Sequence, residues 1–165
     1  SGGVLDSRRG SGTYVGVADL DGVYDIRLRL EPLAAEKAAR HRSPAELAEM
    51  EEVVGRMAAE IDDPDAFNIL DARFHAFVAE ASRSTVLVST LEQLSELALL
   101  TRSVIATNRR FRVTSLTDVE RVLGAIDRQH PKRAANAMER HIRAVRADYF
   151  SVVTGDRPAA RGADG

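Results

Sequence analysis

The sequence has 165 residues and no cysteine, and its 23 Lys and Arg residues nearly balance its 25 Asp and Glu residues. This length favours one domain with a single apolar core. The lack of cysteine excludes disulfides and thiolate metal sites and suits a reducing cytoplasm. The balanced charge gives no broad basic field for gripping DNA. No apolar run reaches the ~18 residues of a membrane span, and no signal peptide is recognisable, so we expect a cytoplasmic protein without a membrane partner.

Residues 1–22 differ from the rest of the chain. They lack an initiator methionine, which suggests that the chain begins partway through a longer protein. Two short runs, Val4-Leu5 and Thr13-Tyr14-Val15, flank a glycine-containing turn and predict a β-hairpin. Because a two-stranded ribbon is marginally stable alone, the hairpin must pack against another part of the protein. The alternative is a disordered leader.

The chain from Tyr24 onwards shows helical periodicity. The first helix is predicted to run to about Arg42, and the Ser43-Pro44-Ala45-Glu46 capping box predicts a second helix to about Ile61. The break at residues 62–65 leads into a third helix that contains Asn68–Ser82. The apolar stripe of the first helix is predicted to comprise Leu28, Leu30, Leu33, Ala34, Ala38 and Ala39.

The second half of the chain predicts three further helices. A long apolar helix from about Val86 to Thr107 suits the centre of a bundle, and Asn108–Arg112 is predicted to be a solvated basic loop. Thr117–Glu120 resembles a capping box and predicts a short helix to about residue 129. His130-Pro131 starts the last helix, which ends near residue 153, and residues 154–165 are predicted to be disordered. The predicted fold is all-α, an antiparallel bundle of about six helices preceded by a short β-hairpin.

Asp71 and His75 are the most informative polar pair. Their four-residue separation places a carboxylate and an imidazole on one face of the third helix, where both could bind one cation or one polar ligand. This face borders the buried stripe, and burying either group unpaired is costly. The alternative is that Asp71 only accepts a hydrogen bond from His75 or Arg73.

Four motifs follow one another at a recognisable spacing. They are Asp25–Glu31 with the alanine-rich Leu33–Ala39, Asp71-Ala-Arg-Phe-His75 with Ala79–Ser82, Val122–Ile126, and Ala134–His141. Together they resemble the effector-binding domain, called FCD, of the FadR-like branch of the GntR family of bacterial transcription regulators. The second motif resembles the D-x-x-F-H signature of that family. The resemblance covers residues 24–150 and implies an FCD-like bundle.

The first residues carry a second part of this resemblance. Arg8-Arg-Gly-Ser-Gly-Thr-Tyr-Val15 is similar to the R-x-G-x-G-T-[FY]-V wing that ends the family's winged helix-turn-helix domain. This implies a wing remnant and linker in residues 1–22, an effector domain in residues 23–153 and a tail in residues 154–165. It also implies that the wing contacts DNA, where cations and small residues can approach the minor groove. The implied DNA-binding residues are Arg8, Arg9, Gly10 and Gly12.

The resemblance further implies a metal site. Many such domains hold a divalent metal with one Asp and three His, and the metal receives a small carboxylate. Asp71, His75 and His141 match three of these ligands, but Val119 stands at the usual place of the fourth. The remaining set suits Zn, Mn, Ni or Fe, held more weakly than by four ligands. Two alternatives stay open: a metal-free polar cluster that meets the effector directly, and a vestigial pocket.

Two arginines and two histidines complete the candidate residues. The resemblance implies that Arg27 points into the pocket, where a guanidinium can hold the carboxylate of an effector, and Arg102 is a second candidate. The alternative for both is a surface ion pair. His130 is expected at a helix cap and His41 in solvent.

The resemblance implies a ligand-responsive, homodimeric transcription regulator that senses a small anionic metabolite. Effector contacts would favour one packing of the helices, and the linker around Gly16–Gly22 would transmit it to the DNA-binding domain. Two alternatives belong to other classes. One is a helical metalloenzyme built on Asp71, His75 and His141, although no H-E-x-x-H motif is present. The other is a ligand-free dimerisation module.

Overall fold

Six helices form an antiparallel bundle, as predicted. A computed structural model of the chain describes residues 20–155 in full, and residues 5–7 and 13–15 by their backbone. The helices are α1 (Leu20–His41), α2 (Pro44–Ala59), α3 (Pro64–Ala81), α4 (Thr85–Ala106), α5 (Arg109–Asp127) and α6 (Pro131–Thr154). None of the helices in the described ranges is both long and apolar enough to span a membrane.

Two three-residue strands precede the bundle. Strands β1 (Leu5–Ser7) and β2 (Thr13–Val15) pair antiparallel, with Leu5 opposite Val15. The intervening turn with Arg8, Arg9, Gly10 and Gly12 lies outside the described residues, so the role of this segment as a wing stays a prediction. The predicted disorder of the tail also falls outside them, apart from Thr154 and Gly155.

Short polar side chains cap the starts of helices α2 to α5. Ser43 accepts a hydrogen bond from the backbone N–H of Glu46 at 3.2 Å, and the Glu46 carboxylate accepts one from the backbone N–H of Ser43 at 2.7 Å. This reciprocal pair is the predicted capping box. Asp63 caps α3 and Ser84 caps α4 in the same way, by accepting backbone N–H groups of the first turn.

The first half of α5 corrects two predictions. The predicted basic loop is helical, because Asn108 caps α5 by accepting the backbone N–H of Arg110 at 2.9 Å. The predicted helix start at Thr117 lies inside α5, where the hydroxyl of Thr117 donates to the carbonyl of Val113 at 3.1 Å. A buried stripe already runs at helical spacing from the start of α5, and it comprises Phe111, Ser115, Val119, Val122 and Ile126. This stripe explains why the helix begins before the local capping signal.

The buried face of α1 also differs from the prediction. The helix begins at Leu20, so the end of the predicted linker is helical. Leu33 was predicted to be buried but is 43% exposed, whereas Arg27 and Glu31 are 1% and 6% exposed. A hydrophobic pattern cannot identify a face on which two opposite charges are paired, which is why the prediction was wrong.

The long helix α4 buries part of its predicted apolar stripe. Of the predicted core residues Leu87, Leu91, Leu94, Leu97, Ala98 and Val104, Leu87 and Ala98 are buried, whereas Val104 is 42% exposed. The helix also buries Thr101 and Arg102. Both α1 and α4 contact four other helices, and the contact of α1 with α6 is the most extensive in the bundle.

A buried arginine joins the ends of three helices. Arg112 is 4% exposed, its Nε donates to the carbonyl of Ile61 at 2.6 Å, and its Nη1 donates to the carbonyl of Ala106 at 2.5 Å. Both carbonyls lie in loops or terminal turns that have no helical partner for them. Arg112 therefore satisfies backbone groups after α2 and at the end of α4.

We expect Arg112→Ala to lower the free energy of unfolding by about 2–4 kcal/mol, because two buried carbonyls would lose a charged donor. Urea denaturation would measure this loss. The control is Arg110→Ala, since Arg110 is exposed two residues earlier on the same helix and should change stability by no more than about 0.5 kcal/mol. Equal effects of the two substitutions would contradict this role of Arg112.

Candidate functional site

Helix α1 contributes a buried ion pair. Arg27 and Glu31 lie one turn apart on its inner face, and the Arg27 Nε donates to Glu31 Oε1 at 2.5 Å. Arg27 Nη1 and Nη2 are buried and have no hydrogen-bond partner among the described residues. The pair therefore leaves two donors of the guanidinium available.

Helix α3 contributes Asp71 and His75, and α4 contributes Arg102. Arg102 Nε lies 2.9 Å from Asp71 Oδ2, and both side chains are less than 5% exposed. Their geometry is that of an ion pair without a well-directed hydrogen bond, and Asp71 Oδ1 is buried without a partner in the described part of the chain. Arg27 and Arg102 thus form buried pairs, and the alternative of surface ion pairs was wrong for both.

His75 connects all of these groups. Its Nδ1 contacts Glu31 Oε2, and its Nε2 lies 3.3 Å from His141 Nε2 and 3.9 Å from Asp71 Oδ1. His141, on α6, is buried, and its ring stacks on that of His75 with centroids 5.3 Å apart. The three predicted ligands therefore come together at the contact of α3 and α6.

The environment sets the protonation states of three members. Burial lowers the pKa of His141 to about 3, and the neighbouring His75 acts in the same direction, so His141 is neutral near pH 7. For Asp71, burial raises the pKa, but Arg102 and the two histidines outweigh it and keep the pKa below its usual value. For Glu31, burial also raises the pKa, but Arg27 and His75 lower it by more, so the pKa lies well below its usual value.

The donor atoms fit a divalent metal. One ligand atom from each of Asp71, His75 and His141 lies within 4.8 Å of the others. Two imidazole nitrogens bound at about 2.0–2.1 Å with tetrahedral geometry lie about 3.3 Å apart, which is the separation of the two Nε2 atoms. A neutral His141 and an unpartnered Asp71 oxygen are suitable ligands. These observations support the predicted set of three ligands, without the third histidine that would be the fourth ligand.

Glu31 is the functional residue that the sequence analysis missed. A carboxylate bound to the Nδ1 of His75 fixes the ring so that Nε2 faces His141 and Asp71, as carboxylates commonly do for metal-binding histidines. His141 departs from this pattern, since its Nδ1 has no hydrogen-bond partner among the described residues. The signal in the sequence was the i, i+4 spacing of Arg27 and Glu31, which favours an ion pair on a helix.

A cavity of about 120 Å³ opens beside this cluster between α3 and α4. Its polar wall comprises Arg27, Glu31, His75 and Arg102, and the rest of its lining comes from α3 and α4. Asp71 and His141 do not line it. Because pockets for drug-sized ligands measure about 300–1,000 Å³, this cavity suits a small ligand.

The other predicted residues lie elsewhere. Val119 is fully buried in the apolar core on α5. His130 stands at the N-cap position of α6, as predicted, but its side chain makes no capping hydrogen bond. His41 is exposed at the end of α1, as predicted. Neither histidine belongs to the cluster.

One family model matches most of the chain, and several solved structures are similar to it. The family model described as the FCD domain matches residues 22–144. A GntR protein of Streptococcus agalactiae is similar in structure with a TM-score of 0.70 at 26% identity, over 87% of this chain and 74% of that one. McbR/YncC of E. coli has a TM-score of 0.76 at 18% identity, over 90% and 77% of the two chains. No curated protein sequence matches.

A third similar structure is that of Lar, a protein that controls the expression of the Listeria monocytogenes agr system and mediates virulence. Its TM-score is 0.69 at 11% identity, over 89% of this chain and 73% of that chain. At such identities, the Listeria and E. coli proteins show likeness of fold alone.

Removing the shared carboxylate should destabilise the protein. We expect Glu31→Ala to lower the free energy of unfolding by about 3–5 kcal/mol, because it leaves the buried Arg27 without its partner. Chemical denaturation would measure this.

The matched control for Glu31→Ala is Glu36→Ala. Glu36 forms an i, i+4 pair with Arg40 on the same helix, but at the surface, where the Arg40 side chain is 52% exposed. The control should cost about 0.5 kcal/mol or less. A Glu31→Ala protein as stable as the control would show that the buried pair does not hold the site.

Proposed function

Since the chain belongs to the family of FCD domains, we propose that it is the effector-binding and dimerisation domain of a ligand-responsive transcription regulator of the GntR type, and that its effector is a small carboxylate. Membership in this family favours a regulator over an enzyme. The proposal of a carboxylate rests on Arg27, which lines a small cavity. Its Nη1 and Nη2 are buried and have no hydrogen-bond partner in the described structure.

The chemistry of the polar wall supports an anionic ligand. Arg27 and Arg102 both line the cavity, and a guanidinium can donate two parallel hydrogen bonds to one carboxylate. Such a ligand would satisfy donors that are otherwise buried without partners, which is favourable in a medium of low dielectric. A neutral apolar ligand would leave them unpaired.

We further propose that Asp71, His75 and His141 hold a divalent metal such as Zn, Mn, Ni or Fe. When bound, the metal would supply positive charge and free coordination positions for carboxylate oxygens. The competing arrangement is a metal-free cluster. It is supported by the 3.3 Å approach of the two Nε2 atoms, which can share one hydrogen bond, and by the pair of Asp71 with Arg102.

The proposed signal passes through α1. This helix carries Arg27 and Glu31 and begins at Leu20, close after strand β2. If residues 1–15 end a winged DNA-binding domain, a ligand that repositions α1 would change how two such domains are presented by a homodimer. Only a difference in affinity for two arrangements produces this response.

The metal proposal predicts near-stoichiometric binding that depends on two of the four histidines. Dialysis against Zn, Mn or Ni followed by elemental analysis should find about one ion per chain in the parent protein. A His75→Ala, His141→Ala variant should lose it, because only one ligand remains.

The control for metal binding removes the other two histidines. A His41→Ala, His130→Ala variant has the same histidine count as the first variant but leaves the cluster intact, so it should retain the ion. Asp71→Asn provides a second test with a smaller change in volume. A parent protein that binds no metal would overturn the metal proposal and leave the metal-free cluster.

The carboxylate proposal predicts that Arg27→Lys weakens the affinity for pentanoate about tenfold or more, because a lysine cannot donate two parallel hydrogen bonds. Titration followed by amide NMR shifts would give the dissociation constants. Arg40→Lys is the control, since Arg40 is exposed on the same helix. Unchanged affinity in Arg27→Lys would contradict the proposed contact.

A further inference from the structure

The two ends of the cavity differ in charge. Its buried end is formed by Arg27, Glu31, His75 and Arg102, where cations and anions are paired, and two further acids line it where they are exposed to solvent, Glu80 on α3 and Glu92 on α4. The wall between the charged groups consists largely of apolar side chains: Ala72, Ala76, Ala79, Val88, Leu91, Leu94 and Ala98.

The buried end has room for one carboxylate charge. Glu31 already occupies the Nε of Arg27, and Asp71 already pairs with Arg102, so the two cations are matched by two anions. Nη1 and Nη2 of Arg27, which form one guanidinium edge, have no hydrogen-bond partner among the described residues, and Arg102 Nε has none either. One incoming carboxylate can accept two hydrogen bonds from the Arg27 edge, and a second negative charge nearby would add to its repulsion by Glu31 and Asp71.

The exposed end favours a positive charge. A ligand with a second carboxylate at this end would place it beside Glu80 and Glu92, and like charges repel. An ammonium group would instead meet two carboxylates. Glu80 lies five residues after His75, which is about 7.5 Å along α3, whereas Glu92 lies ten residues before Arg102, which is about 15 Å along α4. Glu80 is therefore the acid within reach of a ligand whose two charges are joined by a chain of about four to six carbons.

We propose that the cavity binds a zwitterion whose carboxylate and ammonium are joined by a short apolar chain. The carboxylate contacts Arg27, the chain lies along the alanine-rich wall of α3, and the ammonium contacts Glu80, while Glu92 adds negative charge further along the cavity. This inference rests on the proposed carboxylate-binding function and names its ligand class. A volume of about 120 Å³ favours a ligand of this size over larger ones.

The test compares four probes that each contain five carbons, namely 5-aminopentanoate, pentanoate, glutarate and pentylamine, by amide NMR titration of the full chain. We expect 5-aminopentanoate to bind about three- to tenfold more tightly than pentanoate, a modest gain because the acids are exposed. Glutarate should bind more weakly than pentanoate, and pentylamine should bind weakest. The preference for 5-aminopentanoate over pentanoate should become smaller at high salt.

A variant separates the two ends of the cavity. Glu80→Gln, Glu92→Gln should abolish the preference for 5-aminopentanoate and leave the affinity for pentanoate within about twofold, because both residues are exposed and the acid paired with Arg27 is Glu31. The control is Glu49→Gln, Glu52→Gln, which makes the same change in net charge on the exposed face of α2. It should preserve the preference.

The outcomes distinguish this inference from the proposed function. If pentanoate binds in an Arg27-dependent manner but glutarate binds as well as 5-aminopentanoate, the zwitterion is overturned and the carboxylate site stands. If the control variant loses the preference as fully as the cavity variant, general electrostatics explain it and the proposed contact is wrong. If no probe with a carboxylate binds, both proposals fail.

Discussion

The site depends on the contacts that the carboxylate of Glu31 makes with Arg27 and His75. One oxygen accepts a hydrogen bond from Arg27 and the other contacts His75, so a single side chain of α1 orients a residue on its own helix and one on α3. All three side chains are largely buried, where an unpaired charge is far more costly than in water. The contact with Nδ1 turns the Nε2 of His75 towards Asp71 and His141. The geometry of the candidate metal centre is therefore set from a helix that provides none of its ligands.

The charges of the cluster are balanced, but some of its buried polar atoms still have no hydrogen-bond partner among the described residues. Arg27 pairs with Glu31, Arg102 pairs with Asp71, and burial keeps His141 neutral. The atoms without hydrogen-bond partners include two sets at different places: Asp71 Oδ1 lies near the two imidazoles, whereas Nη1 and Nη2 belong to Arg27, which lines the cavity. The first arrangement suits a cation and the second suits an anion. A polar cluster that served only stability would be expected to satisfy these groups internally.

The sequence predicted the members of the site that a short-range pattern or a family motif defines, and it missed those that depend on tertiary partners. The i, i+4 pair of Asp71 and His75 and the resemblance at His141 located three residues that the structure brings together. Glu31 was missed because hydrophobic periodicity treats a charged position as exposed, and its partner His75 is 44 residues away. The prediction of a basic loop was wrong for the same reason, since the buried role of Arg112 depends on carbonyls after α2 and at the end of α4. Tertiary partners determined these positions, and no local pattern contains them.

The placement of α1 links ligand contacts to the start of the bundle. Its first two turns are held to α6 by Arg146, whose Nη1 lies 3.3 Å from Asp25 Oδ1 and whose Nη2 contacts Asp21. The next turns of the same helix present Arg27 and Glu31 to the site. A carboxylate bound at the Nη edge of Arg27 would share one guanidinium charge with Glu31, and it would weaken the attraction within that pair. A ligand that changes the balance of these contacts can favour one arrangement of α1 over another, and a difference in affinity for two arrangements is the physical requirement for a ligand-driven change.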